Sequence, residues 1–239
     1  MTLTDRTSLF AQQIESMFGA IAPRYDFLNR LLSCGQDIYW RRKAVDLLEP
    51  EDDACYLDLA TGTADLALEI KVRRKSRARV IGADFCHPML QLGQVKARKE
   101  SVDIALVGAS GDALPFADAS FSGVAIAFGI RNFAEPEKGL SEILRVLKDR
   151  GKLVVLEFSL PDHPFLKWAY QFYFVRVLPL IGRLISRHGA AYSYLPESVL
   201  RFPQRGRFVE MMEAQGFREV AFRNLTFGIV SLYWGRKHV

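Results

Sequence analysis

The stretch Tyr56-Leu57-Asp58-Leu59-Ala60-Thr61-Gly62-Thr63-Ala64-Asp65-Leu66-Ala67 joins an apolar run to a glycine turn and then to a helix-forming run. Three acids, Glu51, Asp52 and Asp53, bound its start, and its first half suits a short buried strand. Leu66, Leu68 and Ile70 carry the second half among good helix formers from Asp65 to Val72. A strand that closes in a glycine turn and feeds a helix is the opening unit of a doubly wound α/β fold. Such folds bind ligands at the carboxyl ends of their strands. The next apolar run, Val80-Ile81-Gly82-Ala83-Asp84, ends in a carboxylate about 20 residues beyond the turn, a position that suits an acid reaching the hydroxyls of a ribose.

The turn itself separates two ligand classes. Dinucleotide sites favour three glycines, which let the backbone approach a pyrophosphate at a helix N-terminus. Here Gly62 stands alone, and Asp58 precedes it inside the strand end, where a carboxylate repels a diphosphate. An acid there suits a ligand that carries positive charge, an ammonium and a sulfonium, which favours S-adenosylmethionine over a nicotinamide dinucleotide. The plain structural alternative is an α/β turn with a capping aspartate.

Composition narrows the class. The chain of 239 residues suits one elaborated α/β domain, and 49% hydrophobic residues supply a large core. The net charge of +5 owes much to Lys71, Arg73, Arg74, Lys75, Arg77 and Arg79. That cluster falls where the first helix ends, and cations there complement the helix dipole, so it reads as a solvated helix end in preference to a nucleic-acid site. Cys34, Cys55 and Cys86 lie far apart and in no metal-ligand spacing, which implies a reducing compartment, no disulfide framework and no metal site. Asp5, Arg6 and Glu15 interrupt any apolar signal core, and no uncharged run approaches the roughly 20 residues that span a bilayer. The expectation is a cytoplasmic protein that at most rests on a membrane.

Along the chain, a short helix is expected from about Ser8 to Gly19, with a second helical region from Tyr25 to Leu48 broken near Ser33-Cys34-Gly35. Its polar and aromatic residues are numerous enough to suggest a cap over the ligand edge of the sheet. From Ala54 strand-like and helix-like runs alternate, which argues for βαβ units and a mostly parallel sheet. Ile104 to Val107, Gly123 to Phe128 and Lys152 to Phe158 read as the third, fourth and fifth strands, with a turn at Lys148-Asp149-Arg150-Gly151. The loop Ala109-Ser110-Gly111-Asp112 is small enough to lie against a flat ring. Pro164 to His188 is dense in aromatics interleaved with Lys167, Arg176, Arg183 and Arg187, and Pro179 breaks any helix there. It is either a buried crossover or an aromatic lid that meets a greasy substrate or a membrane surface. A helix from about Gln204 to Ala214 precedes two strands, Phe217 to Lys237, joined near Thr226-Phe227-Gly228 as an antiparallel edge hairpin.

Taken in order, these motifs resemble the C-methyltransferases of ubiquinone and menaquinone biosynthesis, within the class I S-adenosylmethionine-dependent methyltransferases. The residues that carry the resemblance are Tyr25-Asp26-Phe27-Leu28-Asn29, Ser33-Cys34-Gly35, Trp40-Arg41, Leu57 to Thr63, Ala83-Asp84 and Ala113-Leu114-Pro115-Phe116. To them add Phe128-Gly129-Ile130-Arg131-Asn132, Arg145 to Lys148, Leu156-Glu157-Phe158-Ser159 and Tyr192 to Ser198. The chain departs from the family pattern at Ala64, where a glycine is usual, at Thr61, at Ser110, at Ala127 and at Lys148 to Gly151.

The resemblance implies a single domain: a Rossmann-like sheet with an antiparallel C-terminal hairpin, divided into a helical cap (1–50), a cofactor-binding core (51–160), an aromatic lid-like insertion (161–203) and a C-terminal helix and hairpin (204–239). It implies S-adenosylmethionine held by Asp58, Gly62, Thr63, Asp84, Ser110 and Gly111, and a polyprenylated quinol bound by Tyr25, Asp26, Asn29, Asn132, Tyr192 and Tyr194. Arg131 would stabilise the ionised quinol oxygen while a ring carbon takes the methyl group. A homodimer and a peripheral contact with the inner face of the membrane stay open, as do methylation of another small aromatic molecule and a non-catalytic binding role.

Overall fold

The structure, a computed structural model, describes residues 3–73, 77–177 and 189–238; side chains of 3–8, 11 and 189–193 fall outside that description. Two helices, α1 (Leu3–Leu32) and α2 (Gln36–Leu48), precede β1 (Cys55–Leu59), α3 (Asp65–Arg73), β2 (Arg79–Asp84), α4 (His87–Lys99), β3 (Ala105–Gly108) and β4 (Phe121–Ala127). A short 3₁₀ turn at Ile130–Asn132 leads to α5 (Pro136–Val146) and β5 (Leu147–Phe158). Then come α6 (Pro164–Phe172), a π turn (Tyr173–Val177), α7 (Gly189–Arg201), α8 (Gly206–Ala214), β6 (Phe217–Leu225) and β7 (Val230–Lys237).

The seven strands form one sheet in the order β3-β2-β1-β4-β5-β7-β6, with β1 to β5 parallel and the last two antiparallel. β1 lies at the reversal of strand order, with β2 on one side and β4 on the other. Asp58 is in register with Gly82 and Ala125. Alternation along the strands feeds two cores. Tyr56, Ala125, Val154 and Leu156 face α2 and α3, where Trp40, Val45, Leu66 and Ile70 are buried. Leu57, Val124, Leu153 and Val155 face the other way, onto Leu140, Ile143, Phe208 and Met212.

Two local expectations are corrected. The helix expected to stop near Gly19 runs unbroken through Pro23 to Leu32. Its apolar stripe, Ile14, Met17, Ile21, Leu28 and Leu32, keeps helical spacing on both sides of the proline. Packing along that stripe outweighs the one backbone bond that proline removes. Lys148 to Gly151 belongs to β5 as a bulge, with Phe121 opposite Leu147 and Gly123 opposite Lys152. Tyr192 to Ser198, one of the motifs that carry the resemblance, sits in α7 with Pro196 inside the helix. The expected break at Pro179 lies outside the described residues, as do Arg183, Arg187, Arg74 and Lys75. Of the remaining basic cluster, Arg73 pairs with Asp46 and Glu69, Arg77 with Asp52 and Asp53, and Lys71 donates to the Ala78 carbonyl.

The end of β4 fits against the first turn with no room to spare. A Cβ at Gly129 would stand 2.4 Å from Ala60 Cβ and 3.2 Å from Ile126 Cγ2. Gly129→Ala is therefore expected to cost about 1–3 kcal/mol, a fall in Tm of roughly 2–4 °C per kcal/mol. Thermal unfolding followed by circular dichroism checks it, and an unchanged Tm would show that the two turns separate freely.

Candidate functional site

The candidate residues converge because they follow the carboxyl ends of adjacent strands. After β1 the chain bends through Ala60 (φ 57°), Gly62 (φ 56°) and Ala64 (φ 66°), all in the left-handed region. The glycine-type position at Ala64 thus keeps its backbone geometry although it carries a methyl group. Asp58 Oδ2 accepts bonds from Thr61 Oγ1 (2.5 Å) and from the Ala67 backbone N–H (2.9 Å), which ties the strand end to the start of α3. Asp58 Oδ1 is buried with no partner. Burial pushes the Asp58 carboxyl up to about 7, against the Thr61 and Ala67 bonds and the charge of Arg41.

Asp84 closes the same cradle. Its Oδ2 accepts from the Gly62 N–H and its Oδ1 from the Cys86 N–H, both at 2.8 Å. A carboxylate has about four acceptor sites, so each oxygen keeps capacity for a further donor. Burial raises its pKa while the Cys86, Gly62 and Phe85 amides hold it down. Ser110 is exposed beyond β3 and donates to the Asp112 carboxylate. Gly111 is a seat for Phe133, whose ring atoms would stand 2.4 Å from a Cβ there and 2.4 Å from one at Gly139.

The cap is strapped to this cradle by charge. Asp26 Oδ1 accepts from Thr63 Oγ1 (2.5 Å), and Lys96 reaches Asp26 (2.7 Å), Asp65 (2.6 Å) and Thr63 Oγ1 (3.1 Å). Arg41 pairs with Asp37 at 2.5 Å and Asp65 at 3.5 Å, and Arg30 bridges the same two acids. Burial alone would raise the Asp65 carboxyl, but Arg41, Lys96 and Arg30 together hold it below the ordinary value. Asp26, expected in the ring pocket, belongs to this strap and does not line the cavity described next.

Between α1, α2, α6 and the ends of β4 and β5 lies a cavity of about 440 Å³, within the range of small-molecule sites. Leu28, Trp40, Phe128, Phe158 and Phe174 make its walls apolar. Tyr25, Asn29, Arg41, Arg131, Tyr170 and Tyr194 are polar residues of its lining. Asn132 meets it indirectly, by accepting from Tyr194 Oη at 3.0 Å. The Tyr192 side chain lies outside the described residues.

Arg131, expected at the ligand edge as the group that stabilises the quinol oxygen, has a side chain about 5% exposed and ion-paired. Nη1 donates to Glu157 Oε1 (2.7 Å) and to the Phe128 carbonyl, and Nε donates to Ser198 Oγ (3.3 Å). The guanidinium carbon stands 5.5 Å over the Phe158 ring. Nη2 has no partner among the described residues. Glu157, fully buried at the end of β5, is a residue of the site that the sequence motif contained but to which it gave no role. Its signal was there: a lone carboxylate in the apolar run Leu153 to Phe158.

Solved structures share this fold. A putative methyltransferase in complex with the Trm112 activator of Haloferax volcanii superposes with a TM-score of 0.67 at 16% identity, covering 93% of this chain and 98% of that one. A SAM-dependent methyltransferase from Aquifex aeolicus does so with a TM-score of 0.64 at 15% identity, covering 88% and 97%. At such identities they share the fold alone, a Rossmann-like α/β architecture. The chain belongs to the ubiE/COQ5 methyltransferase family, whose model matches residues 6–237. It is 50% identical over 219 residues to the demethylmenaquinone methyltransferase of Thermus thermophilus, covering 92% of this chain and 99% of that protein. It is 48% identical over 228 residues to the ubiquinone/menaquinone biosynthesis C-methyltransferase UbiE of Geobacter sulfurreducens, covering 95% and 89%.

The orphaned oxygen of Asp58 has a measurable consequence. Its folded-state pKa lies above the ordinary aspartate value, so its ionisation costs stability as pH rises from that value through about 7, and the cost is constant above. Asp58→Asn is therefore expected to raise Tm, more at about pH 8 than at about pH 5. Differential scanning calorimetry at the two pH values checks this, and an equal or negative change at both would show that the carboxylate is structurally satisfied.

Proposed function

We propose that this chain methylates a ring carbon of a prenylated hydroquinone with S-adenosylmethionine, in the biosynthesis of a respiratory quinone. One observation carries the reading: an apolar cavity with a buried guanidinium at one end adjoins a strand-end cradle holding an unpartnered buried carboxylate oxygen. The names of the close relatives point to the same substrates, demethylmenaquinone and its ubiquinone counterpart.

S-adenosylmethionine, when bound, supplies an electrophilic methyl group on a cationic sulfur. Asp58 fits that cofactor because its free Oδ1 offers a buried acceptor to a cationic group, and Asp84 retains acceptor sites for ribose hydroxyls. Gly62 and Thr63 form the turn between them. Ser110 and Gly111 complete the set at its outer edge.

The ring substrate belongs in the apolar cavity. Arg131 offers Nη2 to the quinol oxygen and favours its ionised form, which pushes electron density onto the ring carbon. Glu157 neutralises much of the guanidinium charge, so the pair acts as an oriented dipole in a water-poor site, where such fields count most. Arginine stays protonated near neutrality, which makes it a donor and not the base. Tyr25, Asn29 and Tyr194 frame the ring.

The substrate's tail explains the outer face of α6. Leu166, Ala169, Tyr170 and Tyr173 turn inward to the cavity, while Phe165, Trp168 and Phe172 form an exposed stacked row with centroids 6.2 and 6.1 Å apart. Phe227 is 81% exposed and also lines the cavity, so it stands at the rim. With Lys167 and Arg176 beside the row, this face suits an anionic bilayer from which a prenylated ring enters. Among the described residues no helix is long and apolar enough to cross a membrane.

The reading is tested by incubating the protein with S-adenosylmethionine and a reduced demethylmenaquinone, and detecting the methylated ring by mass spectrometry. No methylated quinol would overturn it. Arg131→Gln alone strands a buried Glu157, at a cost of about 3–5 kcal/mol. The informative variant is Arg131→Gln combined with Glu157→Gln, expected to fold and to bind cofactor while kcat falls roughly ten- to a hundredfold. Full activity in that double variant would reduce the pair to a structural clamp. Trp168→Ser with Phe172→Ser is expected to release the protein from phosphatidylglycerol vesicles in sedimentation and to slow long-tailed quinols more than tailless ones. Equal slowing of both would make α6 merely part of the cavity wall.

A further inference from the structure

The described tyrosines of the cavity are not alike. Tyr194 donates to Asn132, Tyr173 donates to the Leu32 carbonyl at 3.0 Å, and Tyr25 bonds to Asn29. Tyr170 has no such partner. Its hydroxyl oxygen is buried and unbonded among the described residues, although the residue lines the cavity and is only 9% exposed. Its ring is fixed by stacking on Phe174 at 4.7 Å and by packing with Ile21, Leu28 and Val199. An unmet polar atom is costly in an apolar wall and persists where something outside the chain meets it.

Two residues with an unbonded donor line the cavity from different walls: Arg131 from the strand ends and Tyr170, its hydroxyl buried, from α6. They interact electrostatically but share no hydrogen bond. A quinol carries two ring oxygens on opposite sides, whereas a simple phenol or naphthol carries one. We propose that the Tyr170 hydroxyl hydrogen-bonds the second ring oxygen, the one Arg131 does not hold, and thereby selects quinols over rings with a single hydroxyl. This rests on the quinol reading above and adds a specificity-determining residue to it. Burial pushes the Tyr170 phenol well up, so the group stays protonated and able to donate throughout the neutral range.

The test is Tyr170→Phe, which keeps the ring and removes only the hydroxyl. Binding of a tailless naphthoquinol and of the matching single-hydroxyl naphthol is titrated against wild type and variant, with cofactor affinity and Tm recorded alongside. The quinol Kd is expected to rise roughly five- to fiftyfold, the worth of one buried hydrogen bond. The naphthol Kd and the cofactor Kd should stay within about twofold, since neither ligand uses this hydroxyl. Tm should hold or rise, because the hydroxyl satisfies nothing within the protein. Equal weakening for both rings would make Tyr170 a packing residue, and a lower Tm would show that its hydroxyl serves the fold; either overturns the proposal. Wild type that methylates the quinol beside a variant that binds it equally well sinks the Tyr170 assignment alone. Wild type that neither binds nor methylates any quinol sinks the functional reading and this inference with it.

Discussion

The buried ion pair between Arg131 and Glu157 is the constraint around which the site is built. Two charges withdrawn from water are a poor source of stability, and such a pair persists only where its hydrogen-bonding capacity is met. Here it is met, Nη2 excepted, by parts of the chain that have no other reason to coincide. Glu157 comes from the end of β5 and Arg131 from the turn after β4. Phe128, held at φ 60°, gives up its carbonyl, and Ser198 reaches in from α7. The pair therefore sets where the helical wall sits relative to the sheet. Because Phe158 lies beneath the guanidinium, the polar end of the cavity and its aromatic floor are positioned by the same contact.

A division of labour follows in the cap. Its inward stripe, Ile21, Leu28 and Leu32, makes the cavity apolar, and its next face carries Asp26, Arg30, Asp37 and Arg41 to the cradle. Hydrophobic packing sets the depth of α1, while the charges around Asp65 and Lys96 set its rotation. A helix held by a stripe alone can slide or roll; one held also by several directional ion pairs has a single seat. That matters where two ligands must meet at bonding distance.

The parallel half of the fold was legible because each of its units announces itself locally, as an apolar run, a small-residue turn and a helix. Asp58 and Asp84 were equally legible, since strand ends locate their own carboxylates. What could not be read were outcomes decided between distant segments. Pro23 is a breaker to local inspection, yet the stripe on both sides of it packs as one surface. Lys148 to Gly151 has the composition of a turn, but its neighbours in β4 and β7 draw it into the sheet as a bulge. Arg131 could be placed at the sheet edge without any hint that Glu157, 26 residues later, waits beside it. Tyr170 was one aromatic in a crowd until burial showed that, among the described tyrosines of the cavity, its hydroxyl lacks a partner.

The position of β7 has a consequence for how the molecule comes into being. β7, which follows the six other strands of its sheet in the chain, is an interior strand, seated between β5 and β6. Until residues 230–237 leave the ribosome, β5 has one unpaired edge and β6 has no sheet to join. The cavity waits on the same event, because Thr226 anchors Trp40 through a 2.8 Å bond and Ile229 gives its carbonyl to Ser159. Contacts spanning nearly the whole chain are slow to form. Until β7 is made this protein is a half-built sheet with an open greasy mouth, and the site closes only when that strand takes its place.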